Sequence, residues 1–75
     1  MTTWQVIAQD SKRTYVLLNT NDRWEADKEY RKRATQLRNG SLAPEIAAIA
    51  LYRVTNGRRK SKPDKSIAIR QEEAQ

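Results

Sequence analysis

Neither cysteine nor histidine occurs in this chain. Their absence removes the usual zinc ligands, the commonest general base and the thiol nucleophile, so chemistry built on those groups is excluded. It also leaves a 75-residue fold without a disulfide framework. At that size one core supplies only a few kcal/mol of net stability, and dimerisation is the alternative support, which makes a homodimer one expected arrangement. Lack of cysteine suits a reducing compartment, so an intracellular, cytoplasmic location is expected. No apolar run approaches the roughly 18 to 20 residues that span a bilayer, and no charged segment followed by an apolar stretch opens the chain; neither a membrane span nor a signal peptide is expected. Glycine occurs only twice, and neither residue belongs to a phosphate-cradling motif: Gly40 and Gly57 each have an ordinary turn or cap explanation.

What the chain has in excess is positive charge, fifteen Lys and Arg against nine Asp and Glu, and the excess is local. From Arg53 to Lys65 there are six basic residues and one acid, so this stretch carries +5 of the formal +6. The remaining positions are nearly balanced, nine basic against eight acidic. A concentrated cationic segment speaks to partners more directly than a diffuse one.

Apolar residues recur in regular patterns along the chain. Thr3 to Gln9 alternates, with Trp4, Val6 and Ala8 on one side, and reads as a half-buried strand. Asp10 to Arg13 is a polar turn, and Thr14 to Asn19 is a second strand, so the two form an antiparallel hairpin. Tyr15-Val16-Leu17-Leu18 is apolar on both faces, which places the second strand more centrally than the first. Asp22 followed by Glu25 resembles a capping box, and good helix formers continue to about Arg38 before Asn39-Gly40. At about 100° per residue, Ala26, Tyr30, Ala34 and Leu37 share one stripe that should face a sheet. Asp27 with Arg31 and Glu29 with Arg33 are i, i+4 pairs of favourable polarity.

Ser41 to Glu45 is a connector containing Pro44, with room for a short helical turn through Ala47. Ile49 to Thr55 reads as a strand ending at the Asn56-Gly57 turn, against a competing helix from Pro44 to Val54. Lys65 to Gln71 alternates again, with Ile67 and Ile69 on one side. The sum is an α+β fold of order ββαββ: a four-stranded antiparallel sheet with one helix packed on one face, a single domain over 1–71 and a disordered tail over 72–75. Trp4, Val6, Ile7, Tyr15, Leu17, Leu18, Tyr30, Leu37, Ile49, Leu51, Val54, Ile67 and Ile69 are the expected core.

Two features suggest function. The cationic run reads as a hairpin tip of about eight residues, Gly57 to Asp64, whose Arg58, Arg59, Lys60 and Lys62, with Lys65, can follow a phosphate backbone and release counterions. The ordinary explanation is that these charges keep a small hairpin soluble and discourage edge pairing. On the helix, Trp24, Lys28, Arg31 and Arg38 share a flank about 120° from the core stripe, a basic and aromatic surface suited to bases or phosphates. Here the ordinary explanation is preferred, with Trp24 folding over the sheet edge to finish the core. Asp22, Glu25 and Glu29 lie close together on the helix, but the first two favour its N-terminal dipole and Glu29 has basic neighbours, so no catalytic or metal role is assigned to them. The expectation is therefore a non-enzymatic binding protein without a cofactor. Its partner is DNA or RNA through the phosphate backbone, or alternatively an acidic protein surface on which it docks as an adaptor or inhibitor, as a small bacterial or phage protein would. No membrane partner is expected, since no apolar residue lies among the charges.

Overall fold

The computed structural model describes residues 1–68. Five strands and one helix follow in the order β1 (Thr2–Gln9), β2 (Thr14–Thr20), α1 (Arg23–Asn39), β3 (Ala48–Thr55), β4 (Arg58–Arg59) and β5 (Lys65–Ala68). All pairings are antiparallel, in the order β2-β1-β3, and both β4 and β5 pair with the far edge of β3. The architecture is the expected α+β sheet with one helix on one face, with the last strand divided in two. Ile69, the end of the last expected strand and the 72–75 tail lie outside the described residues. No helix among the described residues is long and apolar enough to cross a membrane.

The hairpin between β1 and β2 closes on Asp10. Its carboxylate accepts the backbone N–H groups of Lys12 and Arg13 and the Tyr15 hydroxyl, while the Asp10 N–H donates to the Arg13 carbonyl at 3.0 Å. These donors, above all the two backbone N–H groups, hold the Asp10 carboxyl below its ordinary value; its acceptor role in turn raises the Tyr15 hydroxyl.

β2 is an edge strand, not a central one. Among the described residues it pairs with β1 alone, and its apolar run is left exposed: Val16 is 50 % accessible, and Tyr15 and Leu17 are also exposed rather than part of the core. The register explains the misleading pattern. Val6 pairs with Leu18 and Ile7 with Val16, so Leu17 is an extra residue in β2, a β-bulge. Alternation on the two sides of a bulge is out of step, and an edge strand then shows apolar residues at consecutive positions without being buried on both faces.

Helix α1 begins at Asp22, whose Oδ1 accepts the Trp24 N–H at 2.9 Å. Glu25 does not close a capping box by reaching the Asp22 N–H. Instead the Thr20 hydroxyl stands between them, accepting the Asp22 N–H at 3.0 Å and donating to Glu25 Oε1 at 2.6 Å. The helix ends in a Schellman motif: Gly40 sits at φ 75°, its N–H bonds to the Leu37 carbonyl and the Ser41 N–H to the Gln36 carbonyl. Both anticipated ion pairs form, Asp27 with Arg31 at 2.9 Å and Glu29 with Arg33 at 2.7 Å.

The apolar stripe faces the sheet as its spacing requires. Ala26 and Leu37 pack with Val6, Ala8, Ile49 and Leu51, and Trp4, Leu18, Tyr30, Leu42, Ile46 and Ile67 close the margins. The segment that admitted either strand or helix is strand from Ala48 onward, because its alternation sends Ile49 and Leu51 to the helix side while β1 pairs along its whole length. On the opposite face Ile7, Ala50 and Val54 are also buried.

The basic segment is not an eight-residue loop. Asn56 (φ 52°) and Gly57 (φ 81°) form a two-residue hairpin turn that pairs Thr55 with Arg58 and Val54 with Arg59 at once. The Lys60 N–H still reaches the Arg53 carbonyl at 3.0 Å. The chain then bulges outward and returns where the Asp64 N–H meets the Leu51 carbonyl at 2.8 Å. From the Val54–Arg59 pair to the Leu51–Lys65 pair, β3 advances three residues and the returning chain six, so three extra residues are accommodated. Pro63, which has no N–H to give to a ladder, stands in this excursion.

Candidate nucleic-acid interface

Backbone register decides which face each cation serves. Lys65 pairs with Leu51, so it shares the helix side of the sheet, whereas Arg59 pairs with Val54 and shares the opposite side with Tyr52. The cationic segment is thereby divided between two surfaces.

On the helix side, the Lys65 ammonium meets Asp27 Oδ1 at 2.6 Å, while Arg31 holds Oδ2 of the same carboxylate. The Asp27 side chain is only 16 % exposed, and these partners, Lys65 first, lower its pKa. Around this centre lies a concavity of about 330 Å³ lined by Arg23, Trp24, Asp27, Arg31 and Lys65. Trp24 does not fold onto the core: it is 79 % exposed. The reason is geometric, since Ala26, Tyr30, Ala34 and Leu37 already cover the sheet and Trp24 projects about 120° from them.

Three of the residues singled out in the sequence, Trp24, Arg31 and Lys65, are thus brought together. Lys28 is exposed one helical turn from Trp24 but does not line the concavity, and Arg38 lies fourteen residues along the helix, about 21 Å away at 1.5 Å per residue. Arg58 is exposed in β4, and Lys60 and Lys62 are exposed just after it, where the chain bulges outward. On the other face Arg59 lies over the Tyr52 ring at 5.4 Å from its centroid and donates from Nε to Gln5 Oε1 at 3.2 Å.

Arg23 and Asp27 were not among the site residues read from the sequence. Adjacency to Trp24 was the available signal for Arg23. Asp27 was visible as a partner of Arg31, but its bond to Lys65 joins positions 38 apart and has no local signature. The Arg59, Tyr52 and Gln5 cluster spans strands in the same way. Among the described residues no group of three His, Cys, Asp or Glu side chains converges on a metal-sized site. Comparison with protein-family models, with curated proteins and with solved structures finds no match for this chain.

Proposed function

We propose that this protein is a non-enzymatic, cytoplasmic nucleic-acid-binding protein that contacts the phosphate backbone through Arg23, Arg31 and Lys65. The observation that carries the reading is the bond between Lys65 and Asp27, which fastens the C-terminal end of the cationic segment to the basic flank of α1 and joins the two sequence features there. Three cations against the single carboxylate leave this surface two charges positive. Lys28 extends it along the helix, and Arg58, Lys60 and Lys62 add exposed charge nearby in sequence without fixed partners among the described residues. A surface of this kind gains affinity by counterion release, which makes binding steeply dependent on salt.

The test is a salt titration of affinity for DNA and RNA oligonucleotides. Each phosphate contact removed should lower the slope of log K against log salt by about 0.7 to 0.9. An Arg23→Gln, Arg31→Gln double variant should therefore flatten the slope by about 1.5, and Arg58→Gln, Lys60→Gln, Lys62→Gln together should flatten it less per charge removed. A slope unchanged in the first variant sinks the assignment.

A second reading, an adaptor or inhibitor docking on another protein, is favoured by the β2 edge, which no other strand among the described residues covers. Tyr15 and Leu17 there line a largely apolar groove with Ala8, Leu42, Ala43 and Ile46, to which Arg33 and Glu45 add one charge of each sign. A partner retained after nuclease treatment at moderate salt supports that reading; loss of all partners supports the first.

A further inference from the structure

We infer that the concavity beside α1 is a subsite for one unpaired nucleobase, stacked on Trp24 with its flanking phosphates on Arg23, Arg31 and Lys65. The inference rests on the phosphate-binding reading and adds to it the class of polynucleotide, single-stranded rather than duplex.

Trp24 is the largest exposed side chain away from the sheet, and it stands in the first turn of α1 between cations on both sides. Among the described residues no cation stacks on its indole face: the one cation–aromatic contact there is Arg59 over Tyr52, on the opposite face. The ring is therefore an open π surface. An open ring of this kind costs solvation without stabilising the fold, and a planar aromatic ligand is the chemistry that complements it.

Asp27 sets the positions of the cations. Each of its oxygens takes one cation, Lys65 at 2.6 Å and Arg31 at 2.9 Å, so the carboxylate is neutralised from within while the remaining N–H groups of both side chains stay available. Arg31 is 71 % exposed, and no carboxylate pairs with Arg23 among the described residues. A volume of about 330 Å³ is at the small end of ligand sites, room for one ring and its backbone. A base in a duplex has both faces covered by its neighbours and cannot offer one to Trp24; an unpaired base can. Stacking of this type is sequence-tolerant, because every base has a π face.

The experiment measures fluorescence anisotropy of labelled 12-residue oligo(dA), oligo(rA) and a dA·dT duplex with the wild type, Trp24→Phe and Trp24→Ala at 50 and 200 mM salt. The exposure of Trp24 means that neither substitution disturbs the core, and circular dichroism verifies this. The expected result is single strands bound roughly ten-fold or more tighter than duplex, with that preference lost in Trp24→Ala, largely kept in Trp24→Phe, and the salt slope retained in both. Quenching of indole fluorescence by oligo(dA) in the wild type, abolished in Trp24→Phe, is the second readout. Equal affinity for single strands and duplex, or a loss in Trp24→Ala that is the same for both, overturns the base subsite while leaving phosphate binding in place. No salt-dependent binding to any of the three probes overturns both readings.

Discussion

Asp27 holds two cations from different parts of the chain, one a turn along its own helix and one on the last described strand. Both cations are exposed, Arg31 at 71 % and Lys65 at 42 %, so solvent screens the pairs to about 1 kcal/mol or less each, and this carboxylate matters less for the total stability than for where Lys65 sits. Its pKa is below the ordinary value near 3.8 in the folded state, so its contribution is complete above that value and is lost as pH falls through the lowered folded one. Asp10 behaves alike, its carboxylate bonded to the Lys12 and Arg13 N–H groups. Stability should therefore be flat in this respect from neutral pH to about 4 and fall below it. Asp27→Asn should lower the neutral-pH stability slightly and make the acid limb shallower. Urea titrations at pH 7, 4 and 2.5 check this; an acid limb of unchanged steepness in the variant would remove Asp27 from the account.

The elements end where their terminal residues oblige them to. Gly40 and Gly57 both have positive φ, and nothing lies within 4 Å of where a Cβ would stand in either. Substitution by alanine therefore meets no clash and costs only the left-handed backbone, about 1 kcal/mol at each site. Two-state urea denaturation of Gly40→Ala and Gly57→Ala should show that cost, with Gly57→Asn closer to wild type. A loss well above 2 kcal/mol would mean that packing, not φ, fixes these turns. The same caps and turn dipeptides made α1 and the start of the second hairpin legible in the sequence, as the stripe from Ala26 to Leu37 did for the helix face. The position of β2 was not legible. Leu17 is a residue too many against β1, and a bulge erases the period-two alternation from which position in a sheet is read. The basic segment misled for a related reason. Asn56-Gly57 suffices for a tight turn, but only backbone pairing with β3 shows that the interruption comes three residues later. Trp24 was misplaced because burial of a helix flank depends on how far the sheet reaches, which no single element encodes.

At the scale of the molecule, the helix covers one face of the sheet, the cations are divided between both, and no strand among the described residues covers the outer edge of β2. That edge has seven residues, Thr14 to Thr20, with no charge and no proline to discourage pairing with another chain. Within the strand itself, the bulge at Leu17 is what protects it. A single charge should complete it: Val16→Lys is expected to reduce self-association at high concentration, measured by light scattering, with stability within about 0.5 kcal/mol because the lysine stem still covers the sheet. Unchanged scattering would show that association, where it occurs, uses another surface. The excursion between Lys60 and Asp64 has a different outcome. Its two anchoring bonds, to the carbonyls of Arg53 and Leu51, restore pairing on either side whatever the chain does between them. Ser61, Lys62 and Pro63 can thus be lengthened, shortened or replaced while Lys65 stays at its station, making this the place where the chain can accept a grafted peptide or drift in length between descendants without disturbing the surface beside α1.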